Sequence, residues 1–185
     1  MDMRDTGSTA TTDIVRELGY LTLGSRLKRL GERLQAQAQV LLDDAGMSLP
    51  ASHCPMLEAL ARLGPVGVGE LAQAIGVSQP AVTRMLQKLE TEGLVKSQAT
   101  SADRRVRPIA LTRTGRQLVE RSRQLLWPRI EASVADACAG AAGPLLAQLA
   151  AVEAALATAP LHVRATRLAA RQPRLPARER KHAGA

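Results

Sequence analysis

The stretch that decides the fold runs from Glu70 to Arg116, ELAQAIGVSQPAVTRMLQKLETEGLVKSQATSADRRVRPIALTRTGR. In its first half, Leu71, Ala72 and Ile75, then Val82, Met85, Leu86 and Leu89, recur at helical spacing. Between the two sets Gly76 supplies a tight turn, Ser78 stands at an N-cap position, and Pro80 sits where a first-turn residue has no intrahelical bond to lose. The pattern predicts a two-turn helix over Glu70 to Ile75 and a second helix from Ser78 to about Glu92, stopped by Gly93. Small Ala72 allows close approach, and the arrangement is that of a helix-turn-helix, whose second helix is held across the first to enter the major groove. On the face opposite the core the second helix carries Ser78, Gln79, Pro80, Thr83, Arg84, Gln87 and Lys88, a set able to meet base edges and phosphates. A merely solvated amphipathic helix has the same periodicity, so this helix does not decide the function alone.

In the second half the period drops to that of strands over Leu94 to Ala99 and Val106 to Leu111, with Thr100 to Asp103 as a polar connection. Pro108 lacks an N–H, so ladder pairing is expected only after it. Asp103, Arg104, Arg105 and Arg107 place three guanidinium groups at the tip and along one strand. Directly after a helix-turn-helix, such a hairpin reads as a wing: arginine is drawn to the narrow minor groove of A·T-rich DNA, and Asp103 is placed to orient a neighbouring arginine.

Outward from this lobe, Thr12 to about Asp44 reads as one long helix, with Leu23, Leu27, Leu30, Leu34 and Leu41 in a heptad-like stripe that needs a partner surface. A second subunit is the expected partner, which makes Leu23, Leu27, Leu30 and Leu34 the candidate dimer interface. A further helix is expected from Ser52, as N-cap, to Leu63, and a very short strand at Val66 to Val68. Thr112 or Thr114 opens a long helix reaching about Ala139 and kinked near Pro128, and Gly140 to Gly143 separate it from a last helix, Pro144 to Thr158.

The fold class expected is therefore mainly α: a winged helix-turn-helix with long N- and C-terminal dimerisation helices and a small β-hairpin wing. Residues 1–11 are expected to be disordered. Residues 12–160 form the domain, with a DNA-binding lobe at about 52–112 and dimerisation helices at 12–44 and 113–158. Residues 161–185 are a basic tail, expected to be disordered past about Arg171.

Composition agrees with a helical protein, since 45% of the 185 residues are hydrophobic but there is no Phe, one Tyr and one Trp. The formal charge of +8 says less than it suggests, because residues 161–185 alone carry +6. The case for double-stranded DNA as partner therefore rests on local pattern, with a sequence-tolerant architectural binder driven by the tail as the alternative. No run of 18 or more apolar residues and no signal-like start is present, which predicts a cytoplasmic protein without a membrane partner. Cys54 and Cys138 read as ordinary half-buried thiols. Adjacent His53 and Cys54 lack metal-ligand spacing, and there is no phosphate-binding glycine loop, nucleophile elbow or clustered His, Asp and Ser. Neither a metal, a cofactor nor an enzymatic activity is expected.

The run from Glu70 to Arg116, with its Asp-Arg-Arg wing tip and the Leu-Thr that opens the next helix, resembles the MarR family of winged-helix regulators. More loosely the resemblance covers Asp13 to about Leu156. It implies a homodimer whose first and last helices interlock, two recognition helices on a pseudo-palindromic operator, and repression relieved by a small-molecule effector. An effector pocket between the dimer helices and the DNA-binding lobe is implied too, with Tyr20, Met56, Leu60 and Trp127 as candidate lining. Ser97 departs from the family, which often has a basic residue there, and the arginine-rich tail lies outside the family pattern.

Overall fold

The computed structural model describes residues 12–47, 49–97 and 108–171. The chain divides into two compact units, residues 1–135 and 136–185. In the first, α1 (Ile14–Glu17) and a 3-10 turn (Gly19–Thr22) precede α2 (Leu23–Asp44); a second 3-10 turn (Ala51–His53) leads into α3 (Cys54–Leu63), α4 (Val68–Ile75) and α5 (Gln79–Thr91). Strands β1 (Val95–Ser97) and β2 (Ile109–Leu111) follow, then α6 (Arg113–Arg121), a π-helical stretch (Ser122–Leu126) and α7 (Trp127–Cys138). The second unit holds α8 (Leu145–Thr158) and α9 (Leu161–Arg171).

The expected single helix from Thr12 to Asp44 is broken. Gly19 adopts φ +55°, a left-handed conformation that ends α1 and that side chains other than glycine rarely adopt. The Thr22 hydroxyl then donates to the Val15 carbonyl at 2.6 Å, which closes the turn before α2 starts. Ser52 is not the cap of α3 either: it lies inside the 3-10 turn, His53 takes the N-cap position without a side-chain bond, and Pro55 occupies the first turn. The loop before this turn is tied to α2 by Gln39, whose amide donates to Leu49 O at 3.2 Å and accepts from Ala51 N at 2.7 Å.

β1 and β2 pair antiparallel, with Val95 opposite Leu111 and Ser97 opposite Ile109. Val66 adds a one-residue third strand: its N–H donates to Ile109 O at 3.0 Å and its carbonyl accepts from Ile109 N at 2.8 Å. The described ladder begins at Ile109, directly after Pro108, as the missing N–H requires. Thr112 caps α6, its Oγ1 accepting from Gly115 N at 3.0 Å while its hydroxyl donates to Gly93 O at 2.7 Å. Near Pro128 the helix departs from α geometry, and the π stretch Ser122–Leu126 lies over the turn where the proline ring would clash with the carbonyl four residues earlier.

One core joins these elements. Leu42 of α2, Met56, Leu57 and Leu60 of α3, Leu71 of α4, Val82, Leu86 and Leu89 of α5, Val95, Ile109 and Leu111 of the strands, and Val119 and Leu126 pack together. Each large side chain so buried contributes about 1.5 to 3 kcal/mol, so truncating Leu71 or Leu89 to alanine costs about 2 to 5 kcal/mol. In the second unit α9 is helical from Leu161 to Arg171, within the basic segment that begins at residue 161. Arg164 helps to start this helix, its Nε donating to the Ala159 carbonyl at 2.6 Å. Among the described residues no single helix is long and apolar enough to cross a membrane.

Candidate nucleic-acid interface

α4 and α5 are held at the turn that the sequence marks. Glu70 reaches back to accept from Gly67 N at 3.3 Å, which opens α4, and Gly76 ends it at φ +70°. Ser78 stands at the N-cap of α5 in extended conformation, although its side chain makes no capping bond. From there Val82, Leu86 and Leu89 are buried at spacings of four and three, while Met85 is half-buried against the same core. The opposite face is thereby fixed outward: Ser78, Gln79, Pro80, Thr83, Arg84, Gln87 and Lys88 are all exposed. Gln79 to Lys88 spans about 14 Å at 1.5 Å per residue, close to the roughly 12 Å width of a B-DNA major groove.

Each side chain on that face keeps a different capacity. Thr83 donates its hydroxyl hydrogen to Gln79 O at 3.0 Å, leaving its oxygen and methyl for a partner. Gln79 lies against the start of α4, where a Cβ added at Gly69 would come within 3.4 Å of its Nε2. Arg84 and Lys88 form no ion pair with any described residue. This face can donate several hydrogen bonds to acceptors on base edges or phosphates.

The wing candidates Asp103, Arg104, Arg105 and Arg107 lie outside the described residues. Their stem is described, with Lys96 and Ser97 exposed on β1 and the base of the hairpin clamped to α6. The closest approach in that clamp is at Gly115, whose absent Cβ would stand 2.0 Å from Leu94 O.

Of the candidate dimer residues, Leu27 and Leu30 are 42% and 50% exposed, and Leu23 and Leu34 are half-buried. The four effector candidates are not brought together. Tyr20 falls in the 3-10 turn and is 94% exposed, while Met56 and Leu60 are core residues. Trp127 alone lines the apolar cavity of about 360 Å³ formed with Leu42, Cys54, Pro55, Glu58 and Ile130. Burial pushes the Cys54 thiol up, the Trp127 indole facing it acting the other way. Burial also works against the Glu58 carboxylate, but hydrogen bonds from Arg123, at 3.0 and 3.1 Å, and from Arg62 outweigh it and hold its pKa below the ordinary value. Cys54, Glu58 and Ile130 escaped the reading of the sequence; the signal present was the four-residue spacing of Cys54 and Glu58 on the side of α3 away from Met56 and Leu60. Cys54 and Cys138 are both free and half-buried, and no three metal-ligating side chains meet among the described residues.

A helix-turn-helix followed by a β-hairpin and framed by helices defines the winged-helix class of DNA-binding proteins. The sequence profile of the MarR family matches residues 46–106. Among solved structures the chain is similar to a mutant Escherichia coli MarR complexed with operator DNA, at TM-score 0.62 and 19% identity, covering 78% of this chain and 99% of that one. It is similar to the Mycobacterium tuberculosis regulator MosR in complex with DNA, at TM-score 0.59, 25% identity and coverage of 72% and 93%. NadR in complex with 4-hydroxyphenylacetate matches at TM-score 0.52, 23% identity and coverage of 73% and 92%. Over residues 46–106 the chain matches the MarR family, and its fold is that of the winged-helix DNA-binding regulators of that family.

Proposed function

We propose that this protein is a transcription regulator of the MarR family, a homodimeric repressor that binds a pseudo-palindromic operator and releases it when a small lipophilic or phenolic molecule binds. The observation that carries the reading is the outward face of α5, seven exposed residues fixed in place by three buried ones. Arg84, Gln87 and Lys88 are assigned to base edges and phosphates, Gln79 and Thr83 to base edges or the T methyl group, and Ser78 and Pro80 to the helix start that approaches the backbone. Asp103, Arg104, Arg105 and Arg107 are assigned to the flanking minor groove, and Leu23, Leu27, Leu30 and Leu34 to the subunit interface. Leu27 and Leu30 support the latter, since exposed leucines in a stripe gain most by burial in a second copy.

The effector is assigned to the cavity beneath Trp127, which is apolar and within the size range of small-molecule sites. NadR, with its bound phenolic acid, supports an effector of that kind. Coupling then follows from position, since Cys54, Pro55 and Glu58 line the cavity from α3, whose opposite side carries the core under α5. Selection of bound sequences from random duplex DNA, followed by mass measurement of the complex and a panel of phenolic and lipophilic ligands, tests the proposal. An inverted-repeat site, two chains per site and release by at least one ligand that fails on Trp127→Ala are expected; a single half-site bound by one chain would contradict it.

A further inference from the structure

The helical hairpin of α1 and α2 carries a second charged site that the α5 face does not use. Its turn is closed by the Thr22 hydroxyl on Val15 O, and its two helices are joined by Arg29, which donates to both oxygens of Asp13 at 3.1 and 2.7 Å. The Arg29 guanidinium holds the Asp13 carboxyl below its ordinary pKa, so the pair stays ionised. Beside it a cavity of about 300 Å³ is lined by Asp13, Arg16, Arg26, Arg29, Leu30 and Arg33. Both oxygens of Asp13 are engaged by Arg29, and Arg16, Arg26 and Arg33 form no ion pair with any described residue.

We propose that this cavity binds a small anion of phosphate type carrying two or more charges. Three guanidinium groups gathered on one concavity repel one another until an anion joins them, and a multivalent anion satisfies all three where a monovalent one cannot. Guanidinium forks match phosphate oxygens two bonds at a time, and the Asp13 to Arg29 pair fixes the helices that carry them before any ligand arrives. The cavity admits a small molecule, and its charge comes from Arg16 on α1 together with three residues of α2 spaced three and four apart, which share one face of the helix.

Calorimetric titration of the full chain with inorganic tripolyphosphate at constant ionic strength tests this, with an Arg84→Ala/Lys88→Ala protein to remove the two cations of the α5 face. Both proteins should bind one tripolyphosphate per chain, and orthophosphate at least about tenfold more weakly. Replacing Arg16, Arg26 or Arg33 singly by Gln should weaken binding about tenfold, and replacing all three should abolish it while the circular dichroism spectrum is unchanged. Three results would overturn the proposal: undiminished binding by the triple variant, loss of binding in the Arg84→Ala/Lys88→Ala protein, or displacement of tripolyphosphate from that protein by random duplex DNA, which would assign the patch to nucleic acid.

Discussion

Replacing Gly115 by alanine should destabilise this protein, although in most helices the same change stabilises by up to about 1 kcal/mol. Gly115 lies in the first turn of α6, where its N–H is held by Thr112 Oγ1 at 3.0 Å and its backbone packs on the end of the α5–β1 connection. A Cβ there would stand 2.0 Å from Leu94 O, 3.0 Å from Leu94 C and 3.2 Å from Leu111 Cδ2. The first two are backbone atoms and cannot rotate aside, so α6 and the base of the hairpin must separate. Overpacking of this kind costs about 1 to 3 kcal/mol, and loss of the Thr112 bonds to Gly93 and Leu94 would place the effect near the upper end. For a chain of this length that lowers the melting temperature by roughly 5 to 10 °C. Thermal and urea denaturation of Gly115→Ala beside Gln117→Ala, on the exposed side of the same helix, would measure it. If Gly115→Ala melts at or above the wild-type temperature, the packing of hairpin on helix described here is wrong.

Two further outcomes follow from the same structure. Leu27→Asp with Leu30→Asp would place charges in the proposed subunit interface at a cost of several kcal/mol, and sedimentation should then show monomers with weakened operator binding; an unchanged dimer would reject that interface. His53 is buried with Nε2 unpartnered, and burial, with Lys88 adding to it, lowers its pKa from the ordinary 6.5. Since the unfolded chain then takes up a proton before the folded one does, stability is unaffected well above pH 6.5 and falls as pH drops through and below that value. His53→Gln should flatten the pH dependence of the melting temperature between about pH 7 and 5; an identical slope in wild type and variant would remove His53 as its source.

The helix-turn-helix was legible because its information is local. Gly76, Ser78, Pro80 and Gly93 punctuate, and the burial of Val82, Leu86 and Leu89 settles which face of α5 points outward. Pro128 likewise marks its own disturbance of the helix. Gly19 was not legible, since an internal glycine costs only about 1 kcal/mol and the leucine stripe, which begins at Leu23, carries no information about the residues before it. What breaks the helix there is a set of contacts, Thr22 to Val15 and Arg29 to Asp13, that exist only once the turn has formed. The cavity lined by Trp127 was not legible for a similar reason: Met56 and Leu60 belong to the face of α3 that meets the core, and only the placement of α2 and α7 against the other face brings Leu42, Cys54, Glu58 and Trp127 around one space. The start of α9 depends on Arg164 reaching a carbonyl five residues back, which a composition poor in large apolar groups conceals.

Arg84 tests most directly whether the outward face of α5 reads sequence. Binding isotherms of wild type and Arg84→Ala would be measured on the selected site and on sites carrying each single base-pair change. The wild type should lose about 1 to 3 kcal/mol at one or two positions per half-site that Arg84→Ala no longer distinguishes, while the penalties elsewhere are retained. If Arg84→Ala discriminates every position as the wild type does, or weakens all sites equally, Arg84 reads no base and the assignment of this face fails.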